Sequence, residues 1–397
     1  MKPVILTFLS FYLPGYRGGG PIRTIANMVE RLGDDFDFRI VTTDRDLGDK
    51  QSYPNVQVDA WNVVDKAKVF YASAASRSWA GFTRLMRDTP HDLLYLNSFF
   101  DPRFTLRPIF ARWLGLVPKR PLVVAPHGEF SVGALRIKSW KKKPFIQLAH
   151  ILGLFDGTYW HASTEIEASD IQRVLPVSAE HMRVVYNITV APDLLQKAEH
   201  FPSLKTSNDD STGRALRVCF LSRIAPMKNL EYALKVLTRV NTPINFNIFG
   251  PKEDLEYWGK CQTLMDVMPA NIKAMYCGSI DHAEVKKVIS NHDIFFVPSR
   301  GENFGHVFME SLSAGVPILV SDQTPWRELQ SRGLGWDIPL DQPENFVKAI
   351  EEAAQFSGMQ RRQMKLYCLD FAQQKADDPS ALKLNRALFA QALASGS

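Results

Sequence analysis

The sequence is poor in cysteine and has no long apolar run, and each shortage excludes a class of protein. Only four cysteines occur among 397 residues, and none forms a Cys-x-x-Cys pair, so neither a zinc cluster nor a disulfide framework is encoded. We interpret them as reduced thiols of a cytosolic protein. The longest apolar stretch, at residues 145–155, is well short of the ~20 residues that a membrane-spanning helix needs. A soluble or peripheral protein is expected.

The excess of one sign of charge over the other is also small. Lys and Arg outnumber Asp and Glu by 47 to 42, which gives a formal net charge of +5. This surplus suits an anionic small molecule or a membrane surface better than a long nucleic-acid duplex. At about 150 residues per domain, a chain of 397 residues predicts two or three globular domains. Hydrophobic residues make up 45% of the chain and charged residues 22%, so we expect no extensive disorder.

Short β-branched and aromatic runs alternate with helical patterns along the chain, which is typical of βαβ units around parallel sheets. The fold class is therefore α/β, with two doubly wound, Rossmann-like domains whose strands would end at a central cleft. The predicted strands are 4–11, 38–44, 68–73, 93–99, 122–126, 157–163 and 181–188 in the first domain, and 216–222, 244–250, 272–278, 294–299 and 317–322 in the second.

A polar, aperiodic stretch at residues 203–215 separates the two series of strands and indicates a mobile surface loop. We place the domain boundary near residue 190. Leu384, Leu388 and Phe389 share one face of a C-terminal helix, which we expect to pack back on the first domain. The predicted division is 1–190, 191–375 and 376–397.

The most informative motif combines two glutamates eight positions apart. A strand leads into a glycine-containing loop with Glu302, and a helical pattern with Glu310 follows. On one helix the two would be rotated by about 80° and separated by about 12 Å, so they cannot meet at one atom. They could instead bind two distant hydroxyl groups of one extended ligand, such as a nucleotide-sugar. The amides that would offer donors to an anionic oxygen at the helix start belong to Asn303, Phe304, Gly305 and His306.

A pair of cations lies in the loop before another predicted helix. Arg223 and Lys228 precede a helix that should start near Asn229. Cations at a helix N-terminus oppose its dipole by about 0.3 to 1 kcal/mol each, so a bound anion such as a diphosphate would explain their placement. Either residue alone would be interpreted as an exposed loop charge.

Two further features are ambiguous from the sequence. Gly18, Gly19 and Gly20 before Pro21 allow close approach of the backbone to a phosphate or sugar, although a plain tight turn is the alternative. The segment matches neither G-x-G-x-x-G nor the P-loop pattern, which argues against nicotinamide and P-loop proteins. His127 follows a predicted buried strand, where a histidine is structural about as often as functional.

With these motifs the chain resembles the retaining glycosyltransferases of family 4, which have the two-domain GT-B fold, from residue 15 to the C-terminal helix. The resemblance implies an N-terminal acceptor domain and a second domain that binds a nucleoside-diphosphate sugar as donor substrate. It implies that Glu310 holds the ribose, that Glu302 and His127 orient the transferred sugar, and that Arg223 and Lys228 neutralise the diphosphate. The other residues that it places in the donor site are Gly18, Gly19, Gly20, Gly250, Gly278, Asn303, Phe304, Gly305 and His306.

The same resemblance implies a glycan or a lipid-linked glycan as acceptor, in the synthesis of a cell-surface polysaccharide or lipopolysaccharide, and no cofactor. Asp-x-Asp pairs at 35–37 and 44–46 match the metal motif of other transferases, but so short a pattern is common by chance, and we expect no catalytic metal. A non-catalytic sugar-nucleotide or carbohydrate-binding protein, and a GT-B epimerase or phosphorylase, are the alternatives. The run 161–165 could suggest a Ser/His/Glu triad, yet Ser163 or Thr164 is better interpreted as a helix N-cap.

Residues 134–153 combine cations with aromatic and aliphatic residues. The segment could be a basic amphipathic patch for anionic lipid headgroups or, equally, a solvated helix end. The expected location is therefore the cytoplasm, with peripheral contact to the inner face of the membrane as an addition. Its relevant residues are Arg136, Lys138, Trp140, Lys141, Lys142, Lys143, Phe145 and Ile146.

Overall fold

The structure of the chain is a computed structural model that describes residues 1–136, 139–189 and 214–395. The predicted surface loop at 203–215 lies outside the described residues as far as residue 213, and Lys138 of the basic segment also lies outside them.

The chain forms two compact units. One comprises Met1–Thr189 together with Pro379–Ser397, and the other comprises Val190–Asp378. Each contains a mainly parallel sheet and the helices that connect its strands. The predicted α/β class with two doubly wound domains is thereby confirmed.

Within the described residues, the strands of the first unit, numbered along the chain, are β1 (Val4–Phe8), β2 (Asp37–Thr43), β3 (Trp61–Val64), β4 (Ala67–Ala72), β5 (Leu93–Leu96), β6 (Leu122–Val124), β7 (Thr158–Ala162) and β8 (Met182–Val184). They lie in the order β3, β4, β2, β1, β5, β6, β7, β8. Neighbouring strands are parallel, except that β3 and β4 are antiparallel. The helices are α1 (Gly20–Leu32), α2 (Trp79–Asp88), α3 (Leu106–Trp113), α4 (Val132–Arg136), α5 (Ser139–Ile151), α6 (Glu165–Val174) and, from the end of the chain, α13 (Ser380–Ala394).

The second unit has a fully parallel sheet in the order eleven, ten, nine, twelve, thirteen, fourteen. Within the described residues its strands are β9 (Leu216–Leu221), β10 (Ile244–Phe249), β11 (Ile272–Gly278), β12 (Ile294–Val297), β13 (Ile318–Ser321) and β14 (Gly335–Ile338). Its helices are α7 (Leu230–Leu237), α8 (Leu255–Asp266), α9 (His282–Ser290), α10 (His306–Ser313), α11 (Pro343–Gln355) and α12 (Gly358–Asp377).

The burial of the central strands explains why they could be predicted from the sequence pattern. Every residue of β5, β6, β7 and β12 is buried, as expected for parallel strands covered on both faces. Such strands leave continuous apolar runs in the sequence, and each predicted strand is present, usually with a shorter C-terminal end. Each parallel strand is followed by a loop at the carboxyl edge of its sheet. The candidate site residues lie at the strand ends, in these loops or in the first two turns of the helices that follow.

The C-terminal helix α13 belongs to the first unit. Phe389 is fully buried, and its ring centroid lies 5.4 Å from that of Phe36, 6.2 Å from that of Phe38 and 5.5 Å from that of Tyr95. Leu388 is buried beside it. The apolar face expected from the sequence thus completes the core on one side of the first sheet.

Among the described residues, we find no helix with the length and the apolar character that crossing a membrane requires. The four cysteines are free thiols: Cys277 is exposed, while Cys219, Cys261 and Cys368 are buried. Burial raises the pKa of Cys368 to about 12 and that of Cys261 to about 11, so these two thiols stay protonated at neutral pH.

The packing of α13 generates a stability prediction. Phe389→Ala removes a fully buried ring from the core of the first unit and should destabilise it by about 3 to 5 kcal/mol. Met359→Ala on α12, where the side chain is 82% exposed, should stay within about 0.5 kcal/mol of the wild type. Urea unfolding of both variants measures the difference, and a loss under 1 kcal/mol for Phe389→Ala would mean that α13 is not part of the core.

Candidate functional site

Two loops at the carboxyl edge of the second sheet meet at an ion pair. The loop after β9 contains a short 3-10 helix, Pro226–Lys228, and the other loop follows β12. Lys228 Nζ donates to Glu302 Oε1 at 2.5 Å, and Ser299 Oγ donates to the same oxygen at 2.9 Å. The side chains of Lys228 and Glu302 are only 16% and 9% exposed. The structure therefore brings two of the predicted site residues together, in surroundings that are largely shielded from water.

Arg223 lies in the same loop as Lys228 but is held by a different carboxylate. Its Nη1 donates to Glu253 Oε2 at 2.6 Å, and both side chains are 38% exposed. Arg223 and Lys228 thus each have a carboxylate partner within the chain. Their joint contact with a diphosphate stays a prediction.

The two glutamates of the sequence motif lie where the pattern suggested. Helix α10 begins at His306, so Glu302 is in the loop and Glu310 is in the second turn of the helix. Glu310 Oε1 lies 3.5 Å from Nδ1 of His282, the first residue of α9. The two carboxylates therefore have different partners, which agrees with the expectation from their spacing that they do not meet at one atom.

Glycine is required at the start of α10. Gly305 is the N-cap and has a left-handed backbone with φ 76°. A Cβ atom built there would lie 2.5 Å from the ring of Phe308, so no other residue fits without a shift. The loop before it is fastened by Trp326 Nε1, which donates to Phe304 O at 2.6 Å. Asn303 lies between Glu302 and this contact.

Gly250 directly follows β10, and Gly278 is the last residue of the neighbouring strand β11. Gly250 has φ 129°, and a Cβ atom there would lie 1.9 Å from Ser222 O in the loop after β9. Gly278 has φ 87° and ends β11. Close backbone packing explains the glycine at 250, while a role of either residue in donor binding stays a prediction.

In the first unit, His127 has a strained backbone. It follows β6 in the left-handed region with φ 52°, which costs of order 1 to 3 kcal/mol for such a residue. Its Nε2 lies 3.0 Å from Asn97 Oδ1, and Asn97 Nδ2 donates to Phe8 O at 3.4 Å. Because the amide nitrogen of Asn97 is used there, its oxygen faces the ring, and we assign the ring proton to Nε2. A backbone held in this region against its preference supports a functional role for His127.

Two carboxylates, the buried Glu167 and the partly buried Glu129, hold the loop that contains His127. Gly128 N donates to Glu167 Oε1 at 2.6 Å. Glu129 accepts two backbone N–H groups and one hydroxyl from residues 98–100, at 2.6 to 3.1 Å. Burial raises the pKa of Glu129, and these hydrogen bonds act against that rise. The loops after β5 and β6 are thereby fastened together around His127.

The glycine-rich segment is anchored by one aspartate. Gly19 has φ 84° and is the N-cap of α1, and Pro21 occupies the first turn, as the sequence predicted. Asp46 Oδ2 accepts from the backbone N–H groups of Tyr16 and Arg17, at 2.9 and 3.2 Å. Asp46 is buried, so it shapes the backbone that leads into Gly18, Gly19 and Gly20.

Aspartates of both Asp-x-Asp pairs form salt bridges with arginines of the same chain. Asp44 binds Arg45 Nε at 2.9 Å, Asp37 binds Arg39, and Asp35 binds Arg386 of α13 at 2.7 Å. The described residues contain no group of three or more His, Cys, Asp or Glu side chains that could hold a metal ion.

The residues of the suspected hydrolase triad do not form one. Thr164 is the N-cap of α6 and accepts from Glu167 N, as the sequence favoured. Ser163 Oγ donates to Glu167, while both ring nitrogens of His161 contact other groups, the Tyr95 hydroxyl and Val185 O. Burial lowers the pKa of His161 to about 4, which makes it a neutral core residue.

Three residues of these loops escaped the sequence analysis as site residues. Asn97 orients His127, Ser299 donates to Glu302, and Asn229, expected only as the helix start, has a left-handed backbone. Asn97 and Ser299 are small polar residues directly after, or close to, the end of a buried strand. That position is the signal that could have identified them.

Family models identify the class of protein. "Glycosyl transferase 4-like domain" matches residues 19–187, and "Glycosyl transferases group 1" matches residues 208–366. Together the two matches cover most of the chain. The chain therefore belongs to the family 4, group 1 glycosyltransferases with the GT-B fold.

Individual relatives are distant. An uncharacterized 41.2 kDa protein in the cps region of Klebsiella pneumoniae is 25% identical over 270 residues, which span 66% of this chain and 69% of that protein. The structure of Anabaena Alr3699/HepE in complex with UDP and glucose has a TM-score of 0.68 at 14% identity, covering 99% of this chain and 100% of the other. WaaG, a glycosyltransferase involved in lipopolysaccharide biosynthesis, has a TM-score of 0.65 at 12% identity, covering 97% and 98%. At these identities the structural likeness establishes the fold alone.

Proposed function

We propose that this protein is a retaining hexosyltransferase that moves a sugar from a nucleoside-diphosphate sugar to a glycan or lipid-linked glycan during cell-surface polysaccharide synthesis. The Lys228–Glu302 pair carries the proposal, because it holds a cation for the diphosphate and a carboxylate for sugar hydroxyls at one place. The similarity to a cps-region protein and to WaaG supports the polysaccharide role. The complex of HepE with UDP and glucose supports the class of donor.

The proposed chemistry depends on stabilising the leaving group. Negative charge develops on the diphosphate as its bond to the sugar breaks, and Lys228 and Arg223 bind that charge together with the N-termini of α7 and α10. Glu302 and His127 orient the sugar, and Glu310 binds the ribose. In this mechanism His127 orients the sugar through a hydrogen bond and is not a general base. The family resemblance supports retention at the anomeric carbon.

We also propose that transfer needs no divalent metal. The two cations supply the positive charge that a metal would otherwise bring to the diphosphate. The carboxylates of both Asp-x-Asp pairs are engaged with guanidinium or backbone groups of the first unit.

A transfer assay tests this function. The wild-type protein, incubated with UDP- and GDP-sugars and with lipid-linked or free glycans, should release nucleoside diphosphate and extend the acceptor. Release should persist in excess EDTA because the charge on the diphosphate is neutralised by side chains. Complete loss in EDTA, restored by Mg²⁺ or Mn²⁺, would contradict metal independence, and donor binding without release would favour the non-catalytic alternative.

A matched pair of lysine variants provides the control for that assay. Lys228→Ala should lower turnover by about a hundredfold or more, because it removes a fixed charge from a water-shielded place. Lys235→Ala on the neighbouring helix α7 removes an equal charge from a side chain that is 58% exposed, and it should leave turnover unchanged. Equal activities of the two variants would contradict the role of Lys228.

Substitution of the two glutamates should have different effects on nucleotide binding and on kcat. Glu310→Ala should weaken binding of the free nucleoside diphosphate by about tenfold, because a ribose contact is the same in ground and transition states. Glu302→Ala should lower kcat without weakening nucleotide binding, because in the proposed mechanism only the transferred sugar contacts this carboxylate. Calorimetric titration and steady-state kinetics measure both effects, with the exposed Glu256→Ala as control. The reverse pattern would invert the orientation of the donor along the motif.

We propose membrane contact through the described part of residues 134–153. Trp140 and Ile151 are 72% and 78% exposed, and Lys141 Nζ lies over the Trp140 ring. Of two residues counted in the sequence as part of the amphipathic surface, Ile146 is buried in the core of the first unit, and Phe145 is partly buried against that core. Lys142 Nζ donates to Ala134 O, so its head group is bound within the protein. The surface that supports the proposal is therefore smaller than the sequence pattern.

Vesicle co-sedimentation tests the membrane proposal. The protein should bind vesicles that contain phosphatidylglycerol and should not bind vesicles of pure phosphatidylcholine, because the cations need anionic headgroups. Combining Trp140→Ser with Ile151→Ser removes the exposed apolar side chains and should reduce binding several-fold. Equal sedimentation with both kinds of vesicle, or no effect of the double variant, would contradict the proposal.

A further inference from the structure

Asn229 combines an unfavourable backbone with a buried side chain. It lies between the 3-10 helix Pro226–Lys228 and α7, with φ 61° and ψ 38°, in the left-handed region where glycine is the default residue. Asparagine tolerates this region better than most residues. Its side chain is 2% exposed and makes no capping hydrogen bond to α7. The helix start therefore does not explain why an asparagine occupies this place.

The side chain of Asn229 instead contacts the loop after β12. Its Nδ2 donates to Pro298 O at 3.0 Å, and its Oδ1 accepts from Arg300 Nε at 3.1 Å. Arg300 N also donates to Met227 O at 2.8 Å. Apart from the Lys228–Glu302 ion pair, three hydrogen bonds join the two loops, and two of them require the amide of Asn229.

These bonds lie beside the ion pair of the site. Lys228 directly precedes Asn229, and Glu302 is two residues beyond Arg300. A lysine on a flexible stem and a loop carboxylate keep a fixed separation only if the two backbones are held together. The amide of Asn229 holds both backbones within a few residues of the charged groups.

We infer that Asn229 is a positioning residue, which keeps the Lys228 ammonium and the Glu302 carboxylate in register for the donor. The inference rests on the proposed function, because it assigns a consequence for nucleotide binding and turnover. It does not place Asn229 in contact with the donor or with the reacting atoms.

Asn229→Gly separates this role from the backbone conformation. Glycine adopts φ 61° without strain, so the variant keeps the turn and loses only the two side-chain hydrogen bonds. We expect its affinity for the nucleoside diphosphate and its kcat each to fall about tenfold. Calorimetric titration with UDP and GDP gives the affinity, and steady-state kinetics gives kcat.

Asn271→Gly is the matched control. Asn271 Nδ2 also bridges two backbone carbonyls, Val240 O and Thr242 O, but at the amino edge of the same sheet. This variant should lose thermal stability while keeping the wild-type affinity and kcat. Equal effects of the two variants on nucleotide affinity would show that Asn229 acts through general stability, and would overturn the inference.

A double-variant cycle adds a readout that a merely structural role would not move. Arg300→Gln and Asn229→Gly remove the same hydrogen bond, so their effects on nucleotide affinity should be less than additive. Wild-type affinity in Asn229→Gly, or full additivity in the double variant, would contradict the role of Asn229. A wild-type chain that binds neither UDP nor GDP would contradict the proposed function itself, and with it the inference.

Discussion

The ion pair between Lys228 and Glu302 is the contact on which the second unit's site depends, because it joins loops that leave two different strands. An exposed pair of this kind would contribute little, since water and salt screen it and two flexible side chains must be ordered. Here the two side chains are 16% and 9% exposed, so loss of either partner leaves a shielded charge unpaired. The pair therefore contributes defined geometry more than net stability. Ser299 adds to that geometry by donating to the same carboxylate oxygen.

The first unit fixes its loops by a related means, with buried or partly buried carboxylates that bind backbone N–H groups. Glu129 accepts from two amides and a hydroxyl, Glu167 accepts from the amide of Gly128, and Asp46 accepts from two amides of the glycine-rich segment. One carboxylate can satisfy several donors, so it can hold an irregular loop that has no ladder of its own. This arrangement explains how His127 and the glycines keep defined positions outside regular secondary structure.

The sequence predicted the fold well because buried parallel strands leave continuous apolar runs, and it missed the strands that lack them. Edge strand β3 pairs antiparallel with β4, and its Val63 is 80% exposed. Strand β14 begins at Gly335, whose φ of 132° and close approach to Ile318 O only glycine allows. A glycine at a strand start reads as a turn when only local preference is considered. The contact that selects it comes from Ile318 of the preceding strand β13, opposite which Gly335 lies in the sheet.

The site was less predictable for the same reason, since motifs give residue types and the fold gives their partners. Neither the pairing of Lys228 with Glu302 nor the contact of Asn97 with His127 follows from spacing along the chain. Left-handed backbone at a residue other than glycine is not a sufficient guide either. The other such residues in the described part of the chain, Asp59, Asp65 and Glu328, are exposed.

What distinguishes His127 and Asn229 is that their side chains contact groups of another loop at the carboxyl edge of a sheet. Strain of this kind persists only where the surroundings impose it. In both loops a buried asparagine amide provides the constraint: that of Asn97 in the first unit and that of Asn229 itself in the second. An amide can donate and accept at once without adding charge, so it can join two loops without competing with Lys228, Arg223 or Glu302 for an ionic ligand.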